Sequence, residues 1–191
     1  MAALILASTS RWRAELLCRL GLPFVQAAPG VEEVRLPGER PDVLATRLAV
    51  EKARAVARLH PDAVVIGSDQ VAVLDGEVLG KPGTEERARA QLARASGRSV
   101  EFLTAVATVD RGAVRSELDR TLVRFRTLTE DEIARYVARE RPLDCAGSFR
   151  SEALGVALFD AIETRDPAAL VGLPLVALCR LLRAAGIDPL A

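Results

Sequence analysis

Residues 63–80 read AVVIGSDQVAVLDGEVLG. The apolar run AVVI opens a buried strand, polarity breaks at Ser68-Asp69-Gln70, and VAVL resumes the strand up to Asp75-Gly76. Asp-Gly is the pair that a two-residue hairpin turn favours, so the chain folds back along EVL and the sheet must be partly antiparallel.

Upstream, Pro41-Asp42 opens a helix that runs to about residue 58, with Leu44, Leu48, Ala49 and Val56 on one side and Lys52 near its middle. Further upstream, the apolar run at residues 3–7 (ALILA) reads as a strand. It meets the hydroxyl cluster Ser8-Thr9-Ser10 and then a helix with Trp12, Leu16, Leu17 and Leu20 at helical spacing, stopped by Gly21. Downstream of Gly80-Lys81-Pro82, Thr84 caps a helix with Glu85-Glu86 in its first turn and Gly97 at its end. Strands over 99–109 and 114–126 join through Asp110-Arg111-Gly112. Thr129 and Glu132 form a capping box for a helix ending before Pro142, VALFDAIE (156–163) reads as a strand, and a last helix runs from near Pro174 to Gly186. Strands and helices alternate throughout. The class is α/β with a mixed sheet, in one domain over 1–191 with room for two lobes.

Composition excludes several functions. The 26 basic and 26 acidic residues cancel, which leaves no positive field for sequence-independent nucleic-acid binding. No apolar stretch is long enough to span a membrane, and the amino terminus lacks the basic region of an export signal. Cys18, Cys145 and Cys179 fit no metal or redox spacing and read as reduced, mostly buried thiols of a cytoplasmic protein. His60, the one histidine, closes a helix before Pro61 and is expected at the surface. Chemistry is left to carboxylates, lysines, arginines and hydroxyls.

Ser8, Thr9 and Ser10 stand between a strand and a helix start, where unpaired backbone N–H groups can take an anion and Arg13 can approach it; plain capping by a serine gives the same pattern. Asp69 ends an apolar strand and could bind a metal or take a proton from water, or simply cap a turn. A helix lysine such as Lys52 ordinarily lies on a solvated face, whereas Lys81 is held between Gly80 and Pro82. Glu32-Glu33 reads alone as a solvated acidic loop, and Arg150 with Glu152 as a surface ion pair of little energetic consequence.

In order, LILASTSRWRAELL, EKARA, VIGSDQV, LGKP, CAGSFRSEALG and LVGLP resemble the Maf family of nucleotide pyrophosphatases, from end to end of the chain. The resemblance implies an α/β fold of the Maf/ITPase-like kind: an elongated mixed sheet flanked by helices, two lobes around a nucleotide cleft, a divalent Mg2+ or Mn2+ ion, a nucleoside triphosphate substrate and frequent homodimers. It implies that Asp69 activates water, that Ser8, Arg13, Lys52 and Lys81 bind the triphosphate, and that Glu33 and Asp69 hold the metal. The usual Asp-Glu pair reads Glu32-Glu33, which leaves Glu32 without a role, and the usual proline after the STS cluster is Arg11. Trp12, Gln70 and Glu152 match the branch acting on 7-methyl-GTP, where Arg, Thr and Gln mark the thymidine and uridine triphosphate enzymes. An indole can stack on a cationic methylated purine, and a carboxylate can accept from the guanine edge; Trp12 also fits the buried stripe of its helix. The alternatives are a pyrimidine triphosphate pyrophosphatase and a non-catalytic nucleotide-binding regulator of cell division.

Overall fold

The computed structural model describes residues 3–191. In chain order its elements are β1 (Leu4–Leu6), α1 (Arg11–Cys18), β2 (Val25–Gln26), α2 (Pro41–Ala57), β3 (Val64–Leu74), β4 (Glu77–Leu79), α3 (Glu85–Ala95), β5 (Ser99–Asp110), β6 (Ala113–Phe125), α4 (Glu130–Glu140), β7 (Phe159–Glu163) and α5 (Leu175–Ala184). Short 3-10 turns occupy Ala146–Ser148, Leu154–Leu158 and Ala169–Val171. The strands form one mixed sheet in the order β2-β1-β3-β5-β6-β7, with β4 on β3. β1 is parallel to β2 and β3, while β4 and β7 run antiparallel to β3 and β6. By its internal contacts the chain divides into two compact units: one holds the described residues up to Gln70 with Thr104–Asp119 and Asp166–Ala191, the other Val71–Leu103 and Arg120–Arg165.

In the first unit, β1 and β3 are buried on both faces, which is why they read as unbroken apolar runs. The period of two sorts their side chains: Leu4, Leu6, Val64 and Ile66 pack with Leu16 and Leu17 of α1 and Leu178, Leu181 and Leu182 of α5. Ile5, Val65 and Ala7 face Ala53 and Val56 of α2. Helix α2 lies close on β3 at one residue. A Cβ added to Gly67 would stand 2.2 Å from the Ala49 carbonyl oxygen and 2.7 Å from the Ala53 nitrogen, so only glycine fits. The overpacked variant Gly67→Ala must push α2 off the strand and should lose about 3 kcal/mol of stability, together with most activity. Urea unfolding and a turnover assay check this, and wild-type values for both would refute the close approach.

In the second unit, Asp75 (φ 50°) and Gly76 (φ 82°) make the expected two-residue turn between β3 and β4. Phe102, Phe125, Phe149 and Phe159 pack edge to face, with centroids 4.7 to 5.6 Å apart. Thr84 caps α3, and Thr129 with Glu132 forms the capping box of α4.

Three expectations need correction, and one short strand goes unannounced by the sequence. VALFDAIE becomes strand only from Phe159, because Leu154–Leu158 winds into 3-10 turns. β2 has only two residues, both exposed, too few to show alternation. The free thiols are not mostly buried: Cys18 is exposed, and Cys145 and Cys179 are half-buried. Cys18 follows the buried Leu16 and Leu17 on α1, where the next residue turns outward. Arg150 pairs with Asp144 at 2.9 Å and donates to the Glu140 carbonyl at 3.0 Å, so Glu152 is not its ion-pair partner. His60 is exposed beyond the end of α2, as expected.

Candidate active site

The polarity break in β3 points to both faces of the strand. Ser68 and Gln70 turn one way. The Ser68 hydroxyl lies 2.7 Å from the Ala105 carbonyl oxygen and 2.9 Å from that of Gly172, and its single proton serves one of them at a time. Gln70 Nε2 lies 3.0 Å from each of Thr104 Oγ1, Ala169 O and Leu170 O, so its donors are engaged by the protein itself.

Asp69 turns the other way, toward α2. There Lys52 Nζ donates to Asp69 Oδ1 at 2.6 Å and to Glu33 Oε1 at 2.5 Å. Lys52 is 4% exposed, which overturns the solvated-face reading. Its spacing held the signal: it lies four residues from both Leu48 and Val56, on the buried stripe of α2. A lysine there needs a partner, because an unpaired buried ammonium is costly, and it has two carboxylates. Burial pushes the Asp69 carboxyl above the usual range; Lys52 and Arg13 pull it down, and Glu33 adds to the rise.

Arg13 joins this field from α1. Its Nε donates to the Gly172 carbonyl at 2.9 Å, and its Nη1 reaches Ser8 Oγ at 3.5 Å. Burial draws its guanidinium down from its ordinary value, and Asp69 and Glu33 draw it back up. Of the hydroxyl cluster, Ser10 does the plain capping job, accepting from the Arg13 N–H, and buried Ser8 accepts from the Ser10 N–H at 3.1 Å. Thr9 and Glu32 are exposed.

Two supports were missed in the sequence. Gln26 of β2 donates to the carbonyls of Ser8 and Ser10 at 3.0 and 3.4 Å and so holds the hydroxyl turn. Gly172, in the LVGLP segment, offers one carbonyl to both Arg13 and Ser68. Backbone acceptors leave no side-chain signature. Trp12 is half-buried, not a full core residue, and Arg11 lies over its ring at 4.0 Å from the centroid.

Ser8, Trp12, Arg13, Glu33, Lys52, Asp69 and Gln70 all belong to the first unit. Lys81 and Glu152 belong to the second, where both are exposed. The Gly80 carbonyl there accepts from Gln91 Nε2 and the Gly83 N–H donates to the Leu143 carbonyl, each at 3.0 Å, so the loop carrying Lys81 is tied on both sides.

The profile of the family described as Maf-like protein matches residues 3–185. This chain belongs to the Maf family. Three relatives, each named 7-methyl-GTP pyrophosphatase, are similar over nearly their whole length. That of Xanthomonas campestris pv. campestris (strain 8004) is 62% identical, covering 98% of both chains. That of Aromatoleum aromaticum is 60% identical, covering 96% of both, and that of Chromohalobacter salexigens is 54% identical, covering 100% of both. In this chain the Asp69-Lys52-Glu33 cluster is set by the VIGSDQV and EKARA segments and by the acidic loop that precedes α2.

Among the described residues no group of three or more His, Cys, Asp or Glu side chains could hold a metal. Two carboxylates do share one cation, the Lys52 ammonium. A pair of hard oxygen donors suits Mg2+ or Mn2+, which commonly uses one or two carboxylates and takes its other oxygens from phosphate and water. Among the same residues no helix is long and apolar enough to cross a membrane.

Proposed function

We propose that this chain is a nucleoside triphosphate pyrophosphatase that cuts 7-methyl-GTP to the monophosphate and pyrophosphate, clearing modified nucleotides from the cytoplasmic pool. The observation that carries the chemistry is Asp69, buried in the middle of β3 and not at a strand end, with a raised proton affinity and a lysine 2.6 Å from its carboxylate. A carboxyl shifted toward neutrality is suited to accept a proton from water as the bond between α- and β-phosphates breaks. Arg13 and Lys52 neutralise the departing pyrophosphate, and Ser8 orients a phosphate oxygen. Positioning and charge do most of the work in phosphoryl transfer. A bound Mg2+ or Mn2+, held by Glu33 and Asp69, would add its charge at the phosphate oxygens.

The names of the relatives support the substrate, and so does Trp12. Its indole face already takes a cation, the Arg11 guanidinium, and 7-methylguanine is a cationic ring of matching shape. Gln70 has both donors committed to Thr104 and the backbone, so it meets a base only through its carbonyl oxygen.

Trp12→Ala should lower kcat/KM for 7-methyl-GTP by about 10-fold or more, as expected for a desolvated cation–π contact, and lower it much less for GTP. Equal losses on both nucleotides would remove Trp12 from specificity. Because Trp12 is the only tryptophan in the chain, quenching of intrinsic fluorescence by 7-methyl-GTP reads the same contact directly.

A further inference from the structure

Glu33 stands in a stretch, residues 27–40, that contains neither helix nor strand, yet its carboxylate meets Lys52 at 2.5 Å. A loop delivers a carboxylate to one place only if the loop itself is fixed. Glu39, with a side chain 5% exposed, is the fixing point. Arg47 grips it with two parallel bonds, Nε to Oε1 at 2.7 Å and Nη2 to Oε2 at 2.8 Å. The same Nη2 donates at 2.9 Å to the carbonyl of Val34, the residue after Glu33. Glu39 Oε2 also accepts the Leu36 N–H at 3.1 Å, and Arg35 forks onto the Glu39 carbonyl at 3.0 and 2.8 Å. The segment from Val34 to Glu39 is thus closed on itself and pinned to α2. Arg47 and Lys52 share that helix, so one rigid element places both the loop and the ammonium that Glu33 meets. Glu51 takes the remaining nitrogen, Arg47 Nη1, at 3.0 Å. The Arg47 fork holds the Glu39 carboxyl down at about 2, so the grip stays charged across any working pH.

We infer that Arg47 and Glu39 are positioning residues for Glu33: they touch no reacting atom but fix the loop that presents its carboxylate. The inference rests on the reading of this cluster as a triphosphate-hydrolysing site. Arg47→Lys keeps the charge, but one ammonium cannot bridge both Glu39 oxygens and the Val34 carbonyl.

The test compares Arg47→Lys, Glu33→Gln and the double variant. Arg47→Lys should lower kcat about 10-fold, as lost outer supports of a site commonly do, with less change in KM. Adding Arg47→Lys to Glu33→Gln should cost less than about 2-fold more, because the support has nothing left to present. Amide exchange over residues 31–39 should quicken in Arg47→Lys while that of β3 stays unchanged, which also shows that the variant is folded. Losses that multiply in the double variant, or unchanged exchange in the loop, would overturn the inference. An inactive wild-type protein would sink the functional reading alone, since the exchange experiment needs no substrate.

Discussion

Asp69→Asn should cut turnover by about 10³-fold while nucleotide affinity stays within a few fold of wild type. The amide keeps the size and one acceptor for Lys52 but cannot take a proton from water. Wild-type turnover needs the ionised carboxylate, and burial raises the Asp69 proton affinity above that of an ordinary aspartate. In kcat/KM, which reports the free enzyme, activity should therefore fall as pH drops through a point above the usual aspartate range, and that acid limb should vanish from whatever residual rate Asp69→Asn retains. Steady-state kinetics across pH, with nucleotide binding followed by Trp12 fluorescence, check both parts. Near-normal turnover in the asparagine variant would mean that another group activates the water.

Lys52→Met should be nearly as severe, and it acts on stability as well. Methionine fills the space of the lysine stem but leaves the Asp69 and Glu33 carboxylates facing each other without the cation they share. Breaking one side of a buried pair costs about 3 to 5 kcal/mol; Glu33 is partly solvated, so the lower end is expected. The pH dependence has a definite sign. Asp69 has a folded-state pKa above its unfolded value, so its ionised form is a penalty on folding, present above the folded pKa and relieved as pH falls through it. Lys52 is the chief group opposing that shift, so its removal raises the pKa further. The deficit of Lys52→Met should be largest at neutral pH and shrink on acidification. Urea unfolding at several pH values measures it, and a deficit independent of pH would show that Lys52 and Asp69 are not coupled.

The two-residue turn after Leu74, the caps at Thr84 and Thr129 and the span of α2 were legible because turn chemistry and helical spacing act within a few residues. β2 and the 3-10 stretch before β7 were not: the first is too short to show a period, and the second is apolar enough to pass for strand. In the site, Asp69 stood out at the end of its apolar run, but Lys52 looked ordinary until its position on the buried stripe was considered. Gln26 and the Gly172 carbonyl act through backbone oxygen, and the Arg47–Glu39 grip joins a helix to the irregular loop before it at a spacing that fits no turn or helical period. No local pattern announces such contacts. Glu33 is the clearest case: in sequence it is one of two adjacent acids in a polar loop, and in the fold only that one reaches Lys52.

Pyrophosphate release from the purified protein with Mg2+ or Mn2+, comparing 7-methyl-GTP, GTP, dTTP, UTP and CTP side by side, tests the reaction and the base together. Release from 7-methyl-GTP with a kcat/KM clearly above that of the other four is the expected result. Preference for dTTP or UTP would contradict the base assignment while leaving the Asp69 chemistry in place, and no release from any nucleotide would contradict the enzyme itself and favour a nucleotide-binding regulator.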